Sequence, residues 1–91
     1  MADRSSLKEL CNRSGVDFLT TDLNLGLTFS DMARGLRSQE TKDRSRRNAR
    51  RAYDTVVRFR DRVSPTTADA LSIRKKLARL KFELWQLGER F

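Results

Sequence analysis

The residues of this chain best suited to binding a charged ligand are arginines in the stretch RSRRNARRAYDTVVRFRDR, residues 44–62. An arginine guanidinium is planar and pairs with two oxygens of a phosphate or carboxylate at once. At about 100° per residue, six of them gather on one side of a helical wheel. This candidate polyanion face consists of Arg44, Arg47, Arg50, Arg51, Arg58 and Arg62. Because Ala49, Tyr53 and Val56 gather on the opposite side, the stretch predicts an amphipathic helix with a basic solvent side.

Two interpretations of this basic side stay open: a track for nucleic-acid phosphates, and a face that is only solvated. A nucleic-acid surface usually adds groups that touch bases, such as exposed aromatic rings for single strands. Here Tyr53 and Phe59 lie on the apolar side, and the chain has no RRM, KH, cold-shock or zinc-finger signature. Nucleic-acid binding through the arginines is therefore the alternative hypothesis, behind protein interaction.

The residue types needed for catalysis or metal binding are scarce. The chain has no histidine and a single cysteine, Cys11, which excludes the usual zinc sites and the Ser-His and Cys-His nucleophile systems. Its carboxylates are scattered, without calcium-loop spacing. We expect Cys11 to be a small buried residue of a first helix. The sequence therefore predicts no enzyme, no catalytic residue, no cofactor and no metal site.

Composition sets the size and charge of the molecule. The 91 residues predict one small domain with a thin core, for which self-association would be a benefit. A net charge of +8 favours polyanionic partners in general. No apolar run approaches the roughly 20 residues of a membrane span, and no signal-peptide pattern is present. We therefore expect a cytoplasmic protein with no membrane partner.

The first twenty-odd residues predict a short helix and a connector. Ser6 and Glu9 have the spacing of a capping box, and Gly15 is placed to end the helix in the left-handed conformation. A connector then runs to residue 21, and Asp22 or Thr21 is the expected N-cap of the next helix.

The rest of the chain predicts three longer helices. Residues 22–63 are expected to form a helical hairpin whose first helix has apolar residues at helical spacing, namely Leu25, Phe29, Met32 and Leu36. Pro65 disfavours helix at Ser64, and Thr67 is the expected cap of a last helix in residues 66–91. The predicted fold is all-α: an antiparallel bundle of three longer helices plus the short N-terminal helix, forming one domain over residues 1–91.

The predicted hairpin resembles a single tetratricopeptide-type helical hairpin. The pattern is carried by Leu25, Gly26 and Phe29 in the first helix and by Ala49, Tyr53 and Val56 in the second. The polar stretch from about 35 to 47 is longer than that motif allows, and its closing proline is absent. With one unit, the resemblance implies a close helix pair at Gly26 and Ala49 but no peptide groove. Residues 22–63 also resemble short bacterial all-α proteins without assigned activity, which implies no site residue.

The last helix has two apolar stripes. A heptad seam runs its full length and consists of Ala70, Ile73, Leu77, Leu80, Leu84, Leu87 and Phe91. A second stripe lies about 150° away on the wheel and consists of Leu71, Ala78, Phe82 and Trp85. A helix that is apolar on two sides is normally buried on two sides. Either the N-terminal segment covers the second stripe, or the stripe contacts another protein. We favour the latter, with a second copy of the chain as the partner.

Overall fold

Three helices make up the fold. A computed structural model describes residues 4–35 and 37–91, with side chains from residue 10 onward. Helix α1 spans Arg4–Arg34, α2 spans Gln39–Phe59, and α3 spans Thr67–Gln86, with a single 3₁₀ turn at Arg60–Arg62 after α2. The described residues contain no strand. The all-α prediction and its three main helices are confirmed.

The helices run up, down and up. Arg13 of α1 pairs with Asp69 at the start of α3 at 2.8 Å, so these two helices are parallel. The start of α2 lies beside the end of α3, where Arg46 pairs with Glu89. The bundle is long and narrow, with extents of 55 × 21 × 18 Å. The described residues therefore contain no further layer of helices to cover the side chains on the outer helix faces.

The separate short N-terminal helix is not shown, because α1 continues through Gly15 and through the expected connector. Gly15 does not adopt the positive φ of a helix-ending glycine. A Cβ at this position would lie 2.5 Å from Cγ1 of Val63, so the absent side chain permits close packing. Val16 and Leu19 of the expected connector are buried in the core.

The caps correct two further expectations. Thr21 and Asp22 lie inside α1 and cap nothing, whereas the side chains of Ser6 and Glu9 lie outside the described ones. Leu36 also lies outside the described residues. At α3 the N-cap is Thr66, one residue before the expected Thr67, and its hydroxyl accepts a hydrogen bond from the Asp69 amide.

Helix α3 ends at Gln86, before the end of the expected 66–91 range, in a turn built around Gly88. Gly88 has a φ of 99°, which favours glycine, and its amide donates to the Trp85 carbonyl. The Glu89 amide donates to the Leu84 carbonyl at 3.0 Å, which completes a Schellman motif. Because this motif reverses the chain, residues 89–91 turn back toward α2.

The core lies along the shared axis of the helices. The heptad seam of α3 supplies half-buried Ala70 and Leu87 and four buried residues, Ile73, Leu77, Leu80 and Leu84. Its last residue, Phe91, is half exposed and packs edge-on against Tyr53. Gly26 permits close approach of the helices, since a Cβ there would lie 2.7 Å from Cδ2 of Leu80 and 3.2 Å from Cβ of Ala52. Burial of the seam fixes which side of α3 faces solvent.

Candidate functional site

The second apolar stripe of α3 faces solvent, and we call it the α3 outer stripe: Leu71, Ala78, Phe82 and Trp85. Leu71 is 49% exposed, Phe82 57% and Trp85 60%, and Ala78 is exposed as well. The N-terminal segment does not cover it, because Val16 and Leu19 point into the core. The stripe is thus an apolar surface without a cover in the described part of the chain.

A groove opens at the Trp85 end of the stripe. The rings of Phe82 and Trp85 lie 6.4 Å apart, centroid to centroid, at 29° to each other. The groove has a volume of about 550 Å³ and is lined by Ala78, Lys81, Phe82, Trp85, Arg90 and Phe91. The small side chain of Ala78 leaves room between the larger ones. The groove is wide enough to admit an apolar side chain from another molecule.

The far wall of the groove is held in place by α2. The Phe91 ring packs edge-on against Tyr53, with the ring centroids 4.9 Å apart, and the Arg50 guanidinium lies over the Phe91 ring at 4.2 Å from its centroid. Arg50 also donates to the Arg90 carbonyl at 2.6 Å. These contacts anchor residues 89–91 to α2, so the wall is preformed.

Cations flank the α3 outer stripe on both sides. On the helical wheel Arg74 and Lys81 lie along one edge, and Lys75 and Arg79 lie along the other. Arg79 pairs with the Glu83 carboxylate at 3.3 Å. The other three cations have no carboxylate within 4 Å among the described residues.

Both carboxylates in the second half of α3 and its tail are turned away from this face. Glu83 is buried, and Arg34 of α1 approaches its Oε1 at 3.5 Å. Glu89 is held by Arg46 and Arg50 of α2. Because no acidic side chain is left along the stripe to balance its cations, the face is apolar in the middle and positive at both edges.

The candidate polyanion face of α2 divides into two groups. Three of its arginines are already engaged: Arg44 pairs with Glu40 at 3.6 Å, Arg50 pairs with Asp54 at 3.0 Å, and Arg62 lies over the Phe59 ring at 4.8 Å. Three others are exposed with no carboxylate within 4 Å in the described part of the chain: Arg47, Arg51 and Arg58. Only the second group forms an uncommitted positive surface.

A second apolar surface, between α1 and α2, was missed by sequence reasoning. Phe18 is 52% exposed and Leu25 48%, and they follow Cys11 at seven-residue spacing along α1. Cys11 is exposed, which corrects the expectation that it is buried. The seven-residue spacing is a sequence signal for this surface. It was missed because the residues between Gly15 and residue 22 were predicted to be a connector and not part of a helix.

Asp22 lies in this α1–α2 surface beside Leu25, Phe29 and Ala52. Burial raises the pKa of Asp22 above its usual 3.8, because desolvation penalises the charged carboxylate. No ion pair within 4 Å offsets this penalty among the described residues. The position therefore costs stability when Asp22 is ionised.

Comparison with protein-family models, with curated proteins and with solved structures finds no match to this chain. The resemblance to a tetratricopeptide-type hairpin stays a prediction. Within residues 10–35 and 37–91, no three His, Cys, Asp or Glu side chains come together as a metal site. No helix in the described part of the chain is long and apolar enough to cross a membrane.

Proposed function

We propose that this chain is a non-enzymatic helical interaction module whose binding surface is the α3 outer stripe. The observation that carries the proposal is the exposure of Phe82 and Trp85 on a helix whose other side is buried. Tryptophan is enriched among residues that dominate the binding energy of protein interfaces.

The energetics favour a partner on this surface. Burial of a large apolar side chain stabilises by about 1.5–3 kcal/mol relative to leaving it exposed. Phe82 and Trp85 are more than half exposed, so much of this energy is unused in the isolated chain. Their ring-to-ring contact and the anchored Phe91 wall limit the side-chain freedom that binding must remove.

A non-enzymatic role is supported by the chemistry of the chain. It has no histidine, and the pairing of Glu83 and Glu89 with arginines leaves neither free to transfer a proton at the stripe. The exposed surface offers apolar contact and positive charge, which serve recognition.

The test is a selection for binders from a displayed library of amphipathic helical peptides of about 20 residues, long enough to form helices. The library carries one fixed apolar stripe and random flanking residues. We expect the wild-type chain to retain peptides that the Phe82→Glu variant does not, because a buried carboxylate would be desolvated in the interface. The Arg51→Glu variant, altered on α2, serves as the matched control and retains the same peptides. Peptides held equally by Phe82→Glu would contradict the proposal.

The sequence-based prediction of a homodimer through the same stripe stays a prediction. Sedimentation of the wild-type chain and Phe82→Glu over a range of concentrations tests it. A dimer that Phe82→Glu converts to a monomer would make the partner a second copy.

A second candidate function is polyanion binding by α2. Arg47, Arg51 and Arg58 are aligned over about 16 Å of helix and exposed without a nearby carboxylate among the described residues. If they contact three phosphates, the logarithm of the association constant for duplex DNA falls with a slope of about 3 against the logarithm of salt concentration. Replacing all three by alanine should remove that dependence. Binding that survives the triple replacement would exclude this face.

A further inference from the structure

We infer that the partner of the α3 outer stripe is an acidic amphipathic helix of another protein. This inference rests on the proposed function and specifies its partner by shape and charge. Three features of the surface carry it: the course of the stripe along the helix, the groove at one end, and the sign of the flanking charges.

The course of the stripe fits a helix. Its residues follow at spacings of seven, four and three, from Leu71 to Trp85, which keeps them in one line along about 21 Å of α3. A helix laid beside α3 presents its own apolar residues at the same spacing. The groove over Ala78, between Phe82, Trp85 and Phe91, receives one of them. A preformed receptor of this kind is typical of helix-in-groove recognition.

The flanking charges select an acidic partner. Arg74 and Lys81 on one edge, and Lys75 on the other, have no carboxylate within 4 Å among the described residues. At interfaces, charged patches of opposite sign meet, and juxtaposed like charges reject a partner. A helix with Asp and Glu on both sides of its apolar stripe matches these edges.

The same charges disfavour a second copy on this face. In a two-fold dimer the same patch meets itself, so the cations along one stripe would lie against those of the other. Neither Glu83 nor Glu89 is available to neutralise them, because both are paired with arginines of the same chain.

The side chains also favour a helix over a single-stranded nucleic acid. Bases stack on aromatic rings, whereas Leu71 and Ala78 provide none along half the stripe.

The experiment measures Trp85 fluorescence, the signal of the only tryptophan in the chain, during titration with two synthetic helical peptides. Both carry the same leucine stripe, one flanked by glutamates and the other by lysines. We expect the glutamate peptide to bind at least about tenfold more tightly than the lysine peptide, and more weakly as salt is raised. Phe82→Ala should weaken binding of the glutamate peptide by about tenfold or more relative to the wild-type chain.

A charge reversal provides the control. Lys75→Glu combined with Lys81→Glu should exchange the preference, so that the lysine peptide binds more tightly. Arg47→Glu combined with Arg51→Glu on α2 changes net charge equally and should leave the preference unchanged. This pair separates a local effect at the stripe from general attraction between opposite charges.

The outcomes divide clearly. Equal or tighter binding of the lysine peptide, or failure of both peptides to bind, would overturn the inference. The inference would also be overturned if the glutamate peptide left Trp85 emission unchanged while one of three alternatives shifted it. These alternatives are dimer formation at higher protein concentration, added oligothymidylate, and added phosphatidylserine vesicles. If the selected library peptides depend on Phe82 but lack acidic flanks, the proposed function stands and the inference fails. If they do not depend on Phe82, both fail.

Discussion

At the scale of single residues, Asn12 fastens the α2–α3 connection to α1. Its side-chain amide donates to the Ser64 carbonyl at 2.8 Å, and the Ser64 amide donates to its Oδ1 at 2.5 Å. Pro65 follows directly and has no amide hydrogen to contribute. The Asn12 side chain therefore provides both partners for the backbone of Ser64.

We expect Asn12→Ala to lower the free energy of unfolding by about 1–2 kcal/mol, because two hydrogen bonds are lost. Asn12→Asp, which keeps the acceptor but loses the donor, should cost less. Urea unfolding followed by circular dichroism measures both. A change below about 0.5 kcal/mol for the alanine variant would mean that water replaces the asparagine without cost.

Asp22 makes the stability of the chain depend on pH. Its pKa is raised by burial in the folded state, so the folded chain binds more protons than the unfolded chain between 3.8 and that raised pKa. The loss of stability from desolvating the ionised Asp22 carboxylate is complete above the folded-state pKa of Asp22, and it disappears as pH falls to the unfolded value of 3.8. Asp22→Asn should therefore be more stable than wild type at neutral pH. Urea unfolding of both chains across this range should show the difference shrinking in acid, and a constant difference would contradict the burial argument.

At the scale of helices, close packing explains why residue 26 of α1, which faces both α2 and α3, is a glycine. Gly26→Ala improves intrinsic helix propensity by about 1 kcal/mol, but its Cβ would meet the buried Leu80 side chain and Ala52. Overpacking of this kind typically costs about 1–3 kcal/mol. We expect a net loss of about 1 kcal/mol in thermal or urea unfolding. Gly35→Ala is the matched control and should be neutral, because its Cβ would lie at an ordinary contact distance of 3.5 Å from the Met32 carbonyl oxygen.

On α2, two adjacent arginines have different roles. Arg50 bonds Asp54 and the Arg90 carbonyl and lies over Phe91, whereas Arg51 is exposed. We expect Arg50→Ala to cost about 1–2 kcal/mol of unfolding free energy and Arg51→Ala less than about 0.5 kcal/mol. Equal costs would show that residues 89–91 are not anchored through Arg50.

At the scale of the whole molecule, a narrow three-helix bundle leaves α3 with one side in the core and the other in solvent. Because the cations along the α3 outer stripe disfavour a second copy, we expect the isolated chain to be a monomer in sedimentation at micromolar concentration, in contrast to the sequence-based homodimer prediction. We also expect Trp85 emission typical of a water-exposed indole. Phe82→Glu should then leave the unfolding free energy within about 0.5 kcal/mol of wild type, because an exposed position tolerates a charge. Emission typical of a buried indole in a monomer would contradict the exposed stripe.

Much of the surface was predictable from periodicity. The seam from Ile73 to Leu84 and the opposing stripe through Phe82 follow from helix geometry, which assigns each residue of α3 to a face. The exposure of Arg47, Arg51 and Arg58 follows in the same way. Which arginines are free to bind a ligand did not follow, because Arg50 is engaged by Arg90 and Phe91, some forty residues away.

Periodicity was enough to predict that the chain is helical and which residues of α2 and α3 share a face, because those properties depend on near neighbours along the chain. The continuation of α1 through Gly15 depends instead on packing between distant elements. Glycine tolerates both the left-handed and the helical conformation, and close packing against Val63 of another element favours the second. Contacts between helices also turn Glu83 and Glu89 inward, because their arginine partners lie on α1 and α2 as well as on α3. The positive edges of the α3 outer stripe result from those distant pairings.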